Sequence, residues 1–150
     1  MTKVLFLCHG NICRSPMAEF VFKNMTKGYD VRTESMAVSS EEIGNPIYPP
    51  AAAVLRRHGV PHALHRARRI TRADYDAFDH VVIMEESNRR LLYGIIGSDD
   101  KNKVRRLLDF TSHPGDIEDP WYTGDFEKVF SEIEEGCAAL LEYLKSKDEI

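Results

Sequence analysis

The stretch Val4-Leu5-Phe6-Leu7-Cys8-His9-Gly10-Asn11-Ile12-Cys13-Arg14-Ser15-Pro16 decides the fold. Its first four residues form a continuous apolar run of the kind a fully buried strand carries. Ser15-Pro16 opens a helical segment, because proline suits a first turn, where its missing N–H is no loss. A thiol therefore closes a buried strand and a guanidinium stands where a helix begins. Open parallel sheets bind ligands outside the carboxyl ends of their strands, and the loop from Cys8 to Arg14 lies at that edge.

The same alternation continues outward. The pattern predicts a strand at Lys3–Leu7 and a helix at Ser15–Lys27, with Met17, Phe20, Val21 and Met25 near one face and Gly28 as its stop. Tyr29–Ser35 is a second strand, and Gly44-Asn45-Pro46 with Pro49-Pro50 marks a loop. A helix over Ala51–His58 follows, ended by Gly59 and Pro61. Thr71-Arg72-Ala73-Asp74 has the form of a capping box with Asp in place of Glu. His80–Met84 is a third strand, Glu86–Ile96 a helix and Val104–Leu108 a fourth strand. Phe126, Val129, Phe130, Ile133, Cys137, Leu140, Leu141 and Leu144 keep helical spacing behind Asp125, a natural N-cap. Strands alternating with helices give an α/β fold: one domain over residues 1–150, a four-stranded parallel sheet with helices on both faces.

Composition narrows the class. The 150 residues are 43% apolar and 29% charged, an ordinary balance for a water-soluble domain. No apolar run is long enough to span a bilayer, and Met1-Thr2-Lys3 leads straight into a strand rather than a signal peptide, so a cytoplasmic protein is expected. Three cysteines, two of them within the motif, do not make a disulfide framework. Residues 1–114 carry 17 Lys/Arg against 13 Asp/Glu, while residues 115–150 carry 3 against 11. The acidic end reads as a solvated helix face. The clusters Arg66-Ala67-Arg68-Arg69 and Lys103-Val104-Arg105-Arg106 lack interleaved aromatics, which argues against nucleic acid; they suit attraction of an anionic substrate.

The loop's chemistry follows from its residue types. A helix N-terminus offers unpaired N–H groups and a partial positive charge, so an anion settles there. Such surroundings suit a reactive thiolate. Gly10 is expected to supply a backbone angle that most residues avoid. Asn11 also tolerates a left-handed conformation, and its amide is placed to tie the loop together. Arg14 presents a planar fork matching two phosphate oxygens. The loop is not a Walker-type sequence. Cys8, His9 and Cys13 offer three metal ligands, but zinc sites space their cysteines closer and bring a second pair. No metal or cofactor is expected.

Extended to Met17-Ala18-Glu19, this segment resembles the phosphate-binding loop of the low-molecular-weight protein tyrosine phosphatases. A bare C-x-x-x-x-x-R is weak; G-N-x-C-R-S-P after a strand is strong. Asp119-Pro120-Trp121-Tyr122 resembles the family's acidic loop, with one final helix behind it. Gly44-Asn45-Pro46, His65-Arg66-Ala67-Arg68 and Met84-Glu85-Glu86-Ser87-Asn88 fall in family order, so the resemblance covers essentially the whole chain.

The resemblance implies two-step phosphoryl transfer from phosphotyrosine proteins, with inorganic phosphate as product and neither nucleic acid nor membrane as partner. Cys8 attacks phosphorus. Arg14 and the backbone amides of residues 9–14 (His9, Gly10, Asn11, Ile12, Cys13) hold the equatorial oxygens. Asp119 protonates the leaving phenolate and then serves as base for water. Asn11 and Ser15 are expected to join a hydrogen-bond network with Ser35 and His65. The plain alternatives are a strand-end serine and a surface histidine. Cys13 is either buried filler or the partner of Cys8 in a reversible disulfide that protects the nucleophile; Cys137 reads as core. Trp121 and Tyr122 are expected to wall the pocket with Ile12, whose aliphatic side chain points to tyrosine, since relatives acting on phosphoarginine tend to carry Thr there. Where family members often have an aromatic residue on the other wall, this chain has Ser39-Ser40-Glu41-Glu42, leaving that wall thinner or acidic, with Tyr48 nearby to fill it. Glu85 stands where Asp is common, placed to tune Asp119 less directly.

Three other functions share parts of this pattern. Arsenate reduction on the same fold relays oxidation through cysteines after the third strand, and His80–Asn88 has none. A phosphoarginine phosphatase would use the same loop. A non-catalytic phosphate-binding or redox module would use Cys8, Cys13 and Arg14 but leaves Asp119 without a purpose.

Overall fold

A computed structural model describes residues 1–150. The elements are β1 (Thr2–Cys8), α1 (Arg14–Met25), β2 (Val31–Ala37), α2 (Pro49–Arg57), α3 (Arg72–Ala77), β3 (His80–Ile83), α4 (Glu86–Ile96), β4 (Val104–Arg106), a 3-10 turn (Leu107–Phe110), α5 (Pro120–Thr123) and α6 (Phe126–Ser146). The four strands form one parallel sheet in the order β2-β1-β3-β4. The expected fold class is therefore the observed one.

Alternation along β1 sorts the core into two layers. Val4, Phe6 and Cys8 point to the face covered by α1, α2 and α6. Leu5 and Leu7 point to the face covered by α3 and α4, against Tyr75, Leu92 and Ile96. β1 is buried on both sides, which explains why it carries an unbroken apolar run. The chain leaves β1 for β2 on one side and returns to β3 on the other. The β1 loop thus opens at the point where the strand order reverses, the crevice where such sheets bind ligands.

Several boundaries differ from the sequence-based expectation. α1 is not a one-faced helix: residues from Arg14 to Phe22 are all buried, because it lies between the sheet and α6. β2 starts at Val31 and runs to Ala37, two residues late, because Gly28 (φ 87°) and Tyr29 turn the chain and pairing with β1 extends to Cys8↔Ala37. β4 stops at Arg106, where buried Leu107 and Leu108 coil into the 3-10 turn under α6. The short α5, started by Pro120 and ended by left-handed Gly124, adds an element to those expected. The capping box at Thr71 and Asp74 and the Asp125 cap of α6 are as expected. No helix is long and apolar enough to cross a membrane.

Candidate active site

Cys8 ends β1 and its sulfur faces back into the loop that follows. The Asn11 and Ser15 backbone N–H groups donate to Sγ at 3.3 and 3.4 Å. Ser15 Oγ lies 3.0 Å from Sγ. The Asn11 amide donates to that hydroxyl at 2.8 Å, which leaves the hydroxyl proton free for a thiolate sulfur. Three donors thus converge on Cys8. The N–H groups of His9, Gly10, Ile12, Cys13 and Arg14 have no acceptor within the protein. Consecutive unpaired donors curled around one point form an anion-binding nest.

Asn11 holds this curl. It sits at φ 60°, the left-handed region, and is fully buried. Its amide nitrogen donates to Ser15 Oγ and, at 3.0 Å, to Ser35 Oγ; its carbonyl oxygen accepts from Arg68 N at 3.3 Å. His65 Nε2 lies 2.9 Å from the Asn11 backbone carbonyl oxygen, so that nitrogen carries the proton. Asn11, Ser15, Ser35 and His65 are therefore gathered in one network. Gly10 differs from expectation: its φ is not positive, and Asn11 alone supplies the left-handed turn. What Gly10 offers is its size: a Cβ there would come within 3.1 Å of Glu42 Cγ, a tight contact that the Glu42 side chain would have to yield to.

The network has a member that sequence reading missed. Ser35 Oγ donates to Glu19 Oε1 at 2.6 Å, Lys23 Nζ reaches Glu19 Oε2 at 2.5 Å, and His65 Nδ1 lies 3.9 Å from Oε1. Glu19 is 7% exposed. A carboxylate among Met17, Ala18 and Phe20, one helical turn after Ser15, was the available signal.

Arg14 begins α1 and is 2% exposed. Its Nη1 donates to Glu85 Oε2 at 2.5 Å and to the Ile117 carbonyl at 2.8 Å; Nη2 lies 3.4 Å from Asp119 Oδ2. Burial alone would lower its pKa, but Cys8, Glu85 and Asp119 outweigh it and hold the guanidinium above its ordinary value. Glu85, the N-cap of α4, also accepts from Ser87 Oγ. Its bonds go to Arg14 and Ser87, so it grips Arg14 rather than tuning Asp119 directly. Asp119 caps α5, with Oδ1 accepting from Trp121 N at 3.0 Å and Oδ2 turned toward Arg14.

These groups share one small cavity of about 150 Å³. Cys8, Cys13 and Arg14 line it together with Asp119, and its walls are Ile12, Glu41, Glu42, Trp121 and Tyr122. Trp121 is 53% exposed and Tyr122 84%, far above core values. Tyr48 does not fill the acidic wall: it packs against Trp121 with the rings tilted and their centres 4.8 Å apart, and takes no part in the lining. His9 Nε2 meets Glu41 Oε2 at 2.9 Å.

All three thiols are free and buried. Burial, with Cys8 and Asp119 adding to it and Arg14 opposing, pushes the Cys13 thiol up. Burial also pushes up Cys137, packed beneath α1 with its sulfur 3.8 Å from the Ala18 carbonyl.

The family model described as low molecular weight phosphotyrosine protein phosphatase matches residues 3–149. The low molecular weight protein-tyrosine-phosphatase YfkJ of Bacillus subtilis is 36% identical over the full length of both chains. The crystal structure of YfkJ superposes with a TM-score of 0.93, covering 98% of this chain and 96% of that one. The human low molecular weight phosphotyrosine protein phosphatase is 38% identical, covering 93% of each chain. A structure of the YwlE arginine phosphatase, carrying a phosphorylated active-site serine, has 26% identity and a TM-score of 0.85, covering 96% of each chain. With a family model spanning nearly every residue and relatives matched end to end, this chain belongs to the low molecular weight phosphotyrosine protein phosphatase family.

Proposed function

We propose that this protein hydrolyses phosphotyrosine in proteins, and small aryl phosphates, through a phosphocysteine on Cys8. The observation that carries this reading is the run of unpaired backbone donors in the loop that lines one cavity with Cys8, Arg14 and Asp119. The three equatorial oxygens of a transferring phosphoryl group carry the charge that such donors stabilise.

Cys8 sulfur attacks phosphorus, the S–P bond forms and the P–O bond to the tyrosine ring breaks. Asp119 gives its proton to the departing phenolate oxygen. Water then attacks the phosphocysteine and Asp119 takes its proton. The S–P bond breaks, Cys8 leaves as thiolate and inorganic phosphate is released. The Ser15 hydroxyl, donating to sulfur, eases that departure. Arg14 and the amides supply the positive field, so the reading calls for no cofactor.

Trp121 and Tyr122 at the mouth suit an aromatic leaving group, and the aliphatic Ile12 favours tyrosine over phosphoarginine. Arsenate reduction would leave Asp119 idle. Cys13, in the same cavity as Cys8, suits a protective disulfide. A sulfenic acid on Cys8 would condense with the Cys13 thiol, forming S–S and releasing water. Free thiols with these duties suit a reducing compartment.

With p-nitrophenyl phosphate, Cys8→Ser is expected to abolish turnover. Asp119→Ala should depress kcat by roughly 10²- to 10⁴-fold for phosphotyrosine and much less for esters whose leaving groups need no proton. Turnover surviving Cys8→Ser, or an Asp119→Ala loss independent of the leaving group, would remove this reading.

A further inference from the structure

Resting on the phosphotyrosine reading, we infer that Glu41 and Glu42 make the protein selective for phosphotyrosines immediately flanked by Lys or Arg. The argument is one of charge at the mouth of the pocket. The cavity that holds Cys8 adjoins a second cleft that shares His9, Arg14, Asp119 and Tyr122 with it, so residues flanking a bound phosphotyrosine must lie over one or the other. Both clefts are lined by carboxylates, but most of these are compensated. Glu85 and Asp119 face Arg14 at 2.5 and 3.4 Å. Asp116 meets Arg106 at 3.1 Å, and Glu118 has Lys128 at 3.8 Å.

Glu41 and Glu42 differ. No Lys or Arg pairs with either. Glu41 bonds the His9 ring, which serves equally well as a neutral donor. Glu42 accepts only from the Asn45 amide, at 2.6 Å. Both line the cavity that holds Cys8, and Glu42 lies close beside Gly10 of the loop. Two carboxylates with no Lys or Arg partner therefore stand beside the phosphate site. An ester carrying Asp or Glu next to the phosphotyrosine brings like charges together there. One carrying Lys or Arg supplies the partner these two carboxylates lack.

The size of the effect follows from exposure. Exposed pairs are worth a factor of about 1.4 to 5 each, and screening shortens their reach to about 10 Å at 0.1 M salt. Three phosphopeptides identical except for Lys, Gln or Glu on both sides of the phosphotyrosine provide the test. In the unaltered protein at low salt, kcat/KM should fall in the order Lys, Gln, Glu, with about fivefold or more between the ends, and the gap should shrink at high salt. The Lys-to-Glu ratio should collapse toward one in Glu41→Gln/Glu42→Gln and invert in Glu41→Lys/Glu42→Lys. Equal rates on all three peptides in the unaltered protein, or a ratio that survives the double Gln variant, would overturn the inference alone. Absence of turnover on every peptide and on p-nitrophenyl phosphate would instead overturn the phosphatase reading, and this inference with it.

Discussion

Asn11 bears two separate demands, and they can be pulled apart by substitution. Its backbone is left-handed, at φ 60°, a conformation that costs most residues about 1–2 kcal/mol. Its side chain ties Ser15, Ser35 and the Arg68 backbone together while fully buried. Asn11→Gly relieves the backbone and removes the ties; Asn11→Ala removes the ties and adds the strain. Both should lower kcat on p-nitrophenyl phosphate, because the Ser15 hydroxyl loses the donor that aims its proton at Cys8. Asn11→Ala should be the less stable of the two by about 1 kcal/mol in urea unfolding. If Asn11→Gly keeps full kcat, the amide ties do not position the loop. Arg14 shows the complementary case of a buried charge held by several partners at once, as burial requires.

At the scale of elements, α6 and the 3-10 turn meet at a contact with no room to spare. A Cβ on Gly136 would lie 2.5 Å from Leu107 Cγ and 3.1 Å from both its methyls. In a free helix Gly→Ala gains about 1 kcal/mol, whereas forcing a methyl into a packed interface costs about 1–3 kcal/mol. Gly136→Ala should therefore destabilise, and adding Leu107→Val should recover part of the loss; calorimetric midpoints of the three variants decide it. This contact also shows what was hidden from sequence reading. β1, α4 and α6 were legible because their apolar spacing and caps are local signals. The end of β4 was not, because Leu107 and Leu108 leave the strand to pack under α6, a tertiary choice. α1 looked one-faced because periodicity does not reveal a helix enclosed on every side. In the site, Cys8 and Arg14 were legible from residue type and spacing, and Asp119 only through the family resemblance of Asp119-Pro120-Trp121-Tyr122. Glu19 was not, since its partners Ser35 and His65 are brought to it only by β2 and the loop before α3. Gly10 and Asn11 were both read as conformationally special, and only the backbone angles separated them.

Across the whole molecule, the crevice at Cys8 and the buried phenol of Tyr75 lie on opposite layers of the core. Tyr75 of α3 is fully buried in the face that α4 covers, away from the loop. Its hydroxyl donates to Asp99 Oδ1 at 2.5 Å and accepts from Lys101 N at 3.1 Å, while Lys103 Nζ stands 4.3 Å from the ring centre. Burial, and then the hydrogen bond to Asp99, raises the phenol from 10.0 to about 12. A raised folded-state pKa means that the unfolded chain loses this proton first. The stabilisation is complete below pH 10 and is lost as pH climbs toward about 12. At about 1.4 kcal/mol per unit, the shift corresponds to a loss on the order of 2–3 kcal/mol across that window. Tyr75→Phe has no phenol to ionise. It should be less stable than the unaltered protein at neutral pH, where Asp99 loses a donor, yet its urea midpoint should change less between pH 10 and 12. Parallel declines in the two proteins over that range would show that another group sets the alkaline limit.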